Sequence, residues 1–218
     1  ARGPPDRRAD KSLAPAGGRS NQLAVFIDST GRAYSVGAHL LPSARGQGEP
    51  LSGHFNPPDG SSFRAVLIGA PEDRWVIASS KGYGFIVKLE ELYSRNKAGK
   101  AVLRVPPGST VVPAAPVAPN GRKIAAVSND GRLLVFALEE LPELAKGKGN
   151  KILGVSSKGD TALVAVCALA ADQSLKVFLG ARHMTIKPAD LDHYAGERGR
   201  RGNALPRGWR SIVGLAAE

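Results

Sequence analysis

Lys123-Ile-Ala-Ala-Val-Ser-Asn-Asp-Gly-Arg-Leu-Leu-Val-Phe-Ala-Leu138 runs on into Glu139-Glu-Leu-Pro-Glu-Leu-Ala-Lys-Gly-Lys-Gly-Asn-Lys151, and this stretch holds the plan of the whole chain. Two apolar runs flank Asn129-Asp-Gly131. Asp-Gly between apolar runs is a strong hairpin signal, because both residues tolerate positive φ. A Leu-rich acidic patch and then a basic Gly-rich loop complete the unit. The same order recurs in three other places. Gln22 to Ile27 pairs with Ala33 to Val36, Trp75 to Ala78 with Gly84 to Leu89, and Leu175 to Leu179 with His183 to Lys187 across a shorter Gly180-Ala-Arg turn. The turn glycines Gly31, Gly82, Gly131 and Gly180 are 51, 49 and 49 residues apart. The basic loops begin at Arg45, Arg95, Lys146 and Glu197, so two independent landmarks keep one period. A strand-built repeat of that length predicts an all-β radial array of blades.

A further strand is expected after each hairpin: Phe63 to Ile68, Val111 to Val117, Thr161 to Val166 and Ser211 to Leu215. With the short strand beside each basic loop, such as Ala101 to Val105, every blade has about four strands. Pro113 and Pro116 cannot donate ladder hydrogen bonds, which puts their strand at a sheet edge or makes it irregular. Leu89-Glu-Glu-Leu92 and Leu138-Glu-Glu-Leu-Pro-Glu-Leu144 read as single helical turns. Trp75, Phe85, Phe136 and Phe178 fall at strand positions and read as blade core. Residues 1 to 20 lack apolar periodicity and read as a partly disordered leader, or the remnant of a preceding blade. The array of blades is therefore expected over residues 21 to 218.

Charge points to the partner. The 218 residues carry 30 Lys and Arg against 19 Asp and Glu, a formal charge of +11, which favours acidic partners such as nucleic acid. No apolar run is long enough to span a bilayer and no basic amphipathic helix is apparent, so no membrane role is expected. Cys167 is the only cysteine, which excludes an intramolecular disulfide and a paired-Cys zinc site. It lies in the apolar run Ala162 to Leu169 and reads as a small core residue. The Arg-rich start lacks the apolar segment of a signal peptide, so a cytoplasmic location is expected.

A single basic loop is an ordinary solvated loop; four in phase predict a belt of charge on one rim. Arg and Lys supply charge-assisted hydrogen bonds to phosphate, and Gly lets the backbone come close to the anion. The candidate DNA-contacting residues are Arg45, Arg95, Lys97, Lys100, Lys146, Lys148, Lys151, Arg198, Arg200 and Arg201. Trp209, flanked by Arg207 and Arg210, reads as a packing residue, with stacking on a base as the alternative. Lys81-Gly-Tyr-Gly-Phe85 and Gly147-Lys-Gly-Asn-Lys151 lack the Gly-Lys-Ser/Thr ending of a phosphate-binding loop. His39, His54, His183 and His193 show no metal-ligand spacing. No catalytic constellation appears.

Ser43-Ala-Arg-Gly-Gln-Gly-Glu-Pro-Leu51, Gly82-Tyr-Gly-Phe85, Arg95-Asn-Lys-Ala-Gly-Lys-Ala101, Lys146-Gly-Lys-Gly-Asn-Lys151 and Gly196-Glu-Arg-Gly-Arg-Arg-Gly202 together resemble the repeat of the C-terminal domain of bacterial type IIA topoisomerase A subunits. The likeness is greatest to the topoisomerase IV (ParC) branch and runs from about Gly18 to Leu215. It implies a β-pinwheel, a propeller-like disc of four to five blades that exchange strands, which binds and bends double-stranded DNA on its rim. It also implies that the catalytic tyrosine, and the ATP and Mg used by the intact enzyme, belong to other parts. This domain then has no cofactor, and Tyr34, Tyr83, Tyr93 and Tyr194 carry no catalytic role. The partners so implied are the ParE (B) subunit in a heterotetramer, together with the remainder of the A subunit. Glu197-Arg-Gly-Arg-Arg-Gly202 is the nearest match to the Gln-Arg-Arg-Gly-Gly-Arg-Gly box of gyrase A subunits, and it lacks the leading Gln. The resemblance therefore implies bending and presenting a DNA segment. Gyrase-like wrapping and a propeller-like protein-interaction module are the alternatives.

Overall fold

The computed structural model describes residues 22–37 and 55–218; the expected leader and the loop beginning at Arg45 lie outside them. The strands are β1 (Leu23–Asp28), β2 (Arg32–Gly37), β3 (Phe63–Ile68), β4 (Arg74–Ala78), β5 (Tyr83–Lys88), β6 (Lys100–Ala101), β7 (Ala115–Val117) and β8 (Gly121–Ser128). They continue as β9 (Arg132–Ala137), β10 (Asn150–Lys151), β11 (Leu163–Ala170), β12 (Leu175–Leu179), β13 (Arg182–Ile186), β14 (Asn203–Ala204) and β15 (Gly214–Ala217). All four expected hairpins form: β1/β2, β4/β5, β8/β9 and β12/β13 are antiparallel neighbours.

The sheets are ordered β3-β1-β2-β6, β10-β5-β4-β7, β11-β8-β9-β14 and β13-β12-β15. In the first three sheets the strand beside the second hairpin strand comes from the next repeat. β6 follows the second hairpin yet pairs with β2 of the first, through Arg32↔Ala101 and Ala33↔Lys100. β10 likewise pairs back to β5, and β14 to β9. This is the strand exchange of a pinwheel, one blade backwards at each step.

The central strands are buried on both faces because each blade is sandwiched between neighbours. In β8, Ile124 and Ala126 face the second blade, packing in one cluster with Val76, Ile86 and Phe136. Ala125 and Val127 face the fourth, with Leu175, Val177 and Ile186. A two-residue period thus appears as two apolar faces, and each fully buried Ile or Leu contributes about 1.5–3 kcal/mol. The first blade shows the contrast: β3 alternates, with Ala65 and Leu67 buried and Arg64 and Val66 exposed. The other face of the first sheet is filled by an aromatic cluster of Phe26, Tyr34, Phe55 and Phe63.

Turn chemistry explains the exchange. Gly31, Gly82 and Gly131 have φ of 87, 91 and 81°, which a side chain would strain. A Cβ at each would also lie 1.9–2.3 Å from a carbonyl oxygen, of Leu103, Leu153 and Trp209 respectively, in the chain arriving from the next repeat. Their own carbonyls accept that arriving chain, from Val102 and Leu103, from Ile152 and Leu153, and from Leu205. Gly180 differs, since no atom approaches its Cβ position and its hairpin closes through Leu179↔Arg182 with only two intervening residues. The expected fourth strand of the last blade is accordingly missing among the described residues.

Pro113 has the predicted effect. β7 is short, lies at the edge of its sheet, and reaches β4 again only through a bridge between Ser79 and Val111. Leu89–Leu92 and Leu138–Glu140 form 3-10 turns that bury their leucines. A one-turn α-helix, Pro188–Leu191, takes the equivalent place in the last repeat. Phe85 and Phe136 are core, Trp75 packs against the core half-buried, and Phe178 departs from expectation: it is half-buried beside exposed His183. The last sheet has only three strands, so Phe178 packs against the His183 ring and stays partly open to solvent. Cys167 is buried in an apolar strand, and burial pushes its thiol up to about 11.

Candidate nucleic-acid interface

Each described basic loop is pinned at both ends to the outer edge of the preceding blade. The loop after Lys146 is anchored on one side by Leu144 N–H to Ile86 O (2.8 Å) and Ile86 N–H to Pro142 O (2.9 Å). On its other side β10 pairs with Tyr83 and Gly84 of β5. The loop after Glu197 is held by Gly196 N–H to Val135 O (3.0 Å) and by β14 on β9. The loop after Arg95 is held by Ser94 N–H to the Ser35 hydroxyl (2.9 Å) and by β6 on β2.

The loops are also joined to one another. The chain leaving each loop donates a backbone hydrogen bond to the next: Asn56 N–H to Lys97 O, Arg104 N–H to Gly147 O and Gly154 N–H to Arg200 O, each 2.8 Å. Gly147 N–H and Gly199 N–H return bonds to Val102 O and Ile152 O. The described loops therefore form one continuous seam along the rim, which the shared period alone could only imply.

On this seam the nine described candidates divide by partner. Arg95, Lys97, Lys146 and Lys151 are exposed and make no side-chain hydrogen bond or ion pair among the described residues, leaving their charges free for an anion. Lys100 Nζ donates to Glu91 O (2.9 Å), and Lys148 Nζ lies 3.9 Å from the centre of the Tyr83 ring. Both stay exposed, and such contacts orient a cation without neutralising it. Arg200 is paired with Glu197 (3.0 Å), and Arg201 lies 4.0 Å from Asp130. Exposed pairs of this kind are weak, about 0–1 kcal/mol, and open readily to a phosphate. Arg198 is the exception: half-buried, it donates to Lys151 O (2.7 Å) and acts as a strut between two loops. Arg45 lies outside the described residues.

Three of the loop glycines serve the packing of the strands. Gly99, Gly149 and Gly202 have φ of 76–78°, and a Cβ there would press on Tyr34, on Gly84 O and on Leu133 O. They bring the donated strand against the preceding blade. Two basic residues that loop spacing alone did not single out, Arg32 and Arg132, clamp the incoming loops. Arg32 donates to Ala98 O (2.8 Å) and Gly99 O (2.9 Å), and Arg132 to Gly202 O (3.1 Å). Their signal in the sequence is the position directly after the turn glycine. Trp209 packs half-buried against the core between the last blades, with the Arg182 guanidinium 5.4 Å from its ring centre. Among the described residues no group of His, Cys, Asp or Glu is placed to hold a metal ion, and no helix is long and apolar enough to cross a membrane.

The family described as DNA gyrase C-terminal domain, beta-propeller, matches residues 73–118 and 122–167, the second and third repeats. The solved structure of the Escherichia coli ParC C-terminal domain is 36% identical, covers 98% of this chain and 91% of that one, and superimposes with a TM-score of 0.81. The chain belongs to the family of C-terminal domains of topoisomerase IV A subunits. The A subunit of DNA topoisomerase 4 from Pseudomonas aeruginosa is 51% identical over 217 residues, and that from E. coli 38% over 210. The chain spans 29% and 28% of those two proteins, so the shared segment is one domain of a longer polypeptide. A crystal structure of a topoisomerase IV C-terminal domain at 12% identity and TM-score 0.71 shares the fold.

Proposed function

We propose that this domain binds duplex DNA without catalysis, along the seam of basic loops, and holds it bent. The observation that carries this reading is the chain of loop-to-loop bonds, Asn56 to Lys97, Arg104 to Gly147 and Gly154 to Arg200. It makes separate basic loops one fixed track whose free side chains include Arg95, Lys97, Lys146 and Lys151. Lysines and arginines on such a track neutralise phosphates and release counterions, so selection follows DNA shape and deformability with little base readout. In the longer polypeptide the bent duplex would be the transported segment, presented for decatenation and supercoil relaxation by an assembly with the B subunit. Nucleotide and metal chemistry would belong to the rest of that assembly, acting on the chromosome in the bacterial cytoplasm. Membership of the topoisomerase IV family supports this role.

The test is duplex binding by fluorescence anisotropy at graded salt. With six or more phosphates touched, affinity falls roughly a thousandfold or more between 50 and 200 mM salt. Reversing the charge at Arg95, Lys97 and Lys100 together should weaken binding and flatten that slope while circular dichroism stays unchanged. A salt-insensitive affinity, or a strong preference for one short sequence, would overturn the reading.

A further inference from the structure

A second series of loops runs beside the hairpin turns, and its last member differs from the others. Pro58-Asp-Gly-Ser61, Pro106-Pro-Gly-Ser109 and Pro206-Arg-Gly-Trp209 are β-turns in phase, each closed by a bond of 3.1 Å from the fourth N–H to the proline carbonyl. Gly60, Gly108 and Gly208 have φ of 79, 76 and 91°, as the third position of a type II turn requires. In the first two turns Ser61 and Ser109 donate back to the proline carbonyl, and the second position is Asp59 or Pro107. The last turn carries Arg207 and Trp209 instead, with Arg210 next where the others have Ser62 and Thr110.

Around this turn the structure opens a pocket lined by Arg132, Arg201, Arg207 and Arg210, with Trp209 in its wall and Asp130 as its one carboxylate. Arg207 and Arg210 are exposed and have no side-chain partner among the described residues. Their backbone is held firmly: Ser211, a non-glycine residue at φ 58°, donates to Asn129 O (3.0 Å). The Trp209 carbonyl sits where a Cβ on Gly131 would be. Strain of that kind persists only where surrounding contacts impose it. Arg201 belongs both to this pocket and to the last basic loop, so the pocket continues the seam from the rim onto the side bearing the hairpin turns.

We infer that this pocket binds backbone phosphates at one end of the bound duplex. The DNA track is then polar. It ends on the last repeat, where the duplex leaves the rim across the Trp209 turn; the Pro58 and Pro106 turns carry no cation, and the corresponding segment of the third repeat, Ser156 to Asp160, carries a single one, Lys158. The inference rests on the DNA-binding reading above, and the test separates the two.

Arg207→Ser/Arg210→Ser in the full chain is compared with the triple charge reversal at Arg95, Lys97 and Lys100, using a blunt 30-base-pair duplex. Loss of two phosphate contacts lowers the salt slope by about 1.8, so the variant's deficit shrinks roughly tenfold between 50 and 200 mM salt. Wild-type indole fluorescence should change on DNA addition. That change should vanish in Arg207→Ser/Arg210→Ser and in Trp209→Phe, and persist at saturation in the rim variant. An unaltered slope in Arg207→Ser/Arg210→Ser, with the rim variant impaired, overturns the pocket and leaves the rim standing. Unaltered binding in both variants overturns both. If the double variant instead loses only a protein partner and keeps the wild-type DNA slope, the pocket is a protein-docking surface and the inference falls.

Discussion

Alanine at Gly82 and at Gly180 should differ sharply in cost, and the difference measures what strand exchange contributes. Both glycines lie at positive φ, 91° and 59°, where a Cβ costs about 1–2 kcal/mol. At Gly180 nothing lies within 4 Å of that Cβ, so backbone strain is the whole cost. At Gly82 the Cβ would lie 2.3 Å from Leu153 O, and one chain must move. Movement breaks the bonds from Ile152 N–H (2.6 Å) and Leu153 N–H (3.4 Å) to Gly82 O, at about 1 kcal/mol each. It also loosens Ile152 and Leu153, both fully buried. Gly82→Ala should therefore lose about 4–5 kcal/mol against about 1–2 for Gly180→Ala, adding the strain, hydrogen-bond and partial-burial costs. For a domain of this size that is a Tm fall of roughly 10–15 °C against roughly 5 °C. Guanidinium and thermal melts followed by circular dichroism measure both. Equal losses in the two variants would refute the argument that the turn glycines exist to admit the neighbouring repeat.

Arg32→Ala removes two hydrogen bonds to loop carbonyls, so it should lower stability by about 1–3 kcal/mol while changing the salt slope of DNA binding by less than one, because this arginine serves the fold. Tyr34 donates to the buried Asp28 carboxylate at 2.6 Å, and burial together with that carboxylate holds its phenol well above the ordinary tyrosine range. A folded-state value raised in this way stabilises below the unfolded value of about 10 and is lost as pH rises past it. Alkaline melts should show stability falling above about pH 10, and Tyr34→Phe should remove part of that fall. It should also cost about 1–2 kcal/mol at neutral pH, from the unmet Asp28 oxygen. Cys167, buried and shifted upward, should resist an aromatic disulfide reagent at pH 8 until denaturant is added; fast labelling of the folded protein would contradict its placement.

Much of this fold is legible as local pattern. Lys123 to Leu138 reads as a hairpin because apolar runs flank Asp130-Gly131, and the disposition of Ile124 and Ala125 on opposite faces follows from strand geometry. Pro113 and Pro116 foretell a broken edge strand for want of an N–H. The candidate site is less legible. Arg198 and Arg95 look alike in sequence, yet Arg198 is a half-buried strut between loops and Arg95 is exposed, with no side-chain hydrogen bond or ion pair among the described residues. Arg32 and Arg132 look like surface charges and turn out to be clamps.

What the sequence alone determined was the period, the hairpins and the presence of phased basic loops, because turn preference and alternation act over a few residues. Tertiary structure decided where the short strands go. β6, β10 and β14 are two residues each, too brief for any pattern to name a partner. Each finds its place because Gly31, Gly82 or Gly131 clears the approach and an exposed strand edge leaves backbone groups to satisfy. That step back by one blade is also what stitches the basic loops into a single seam. The charge was written in the chain, and its continuity was made by packing.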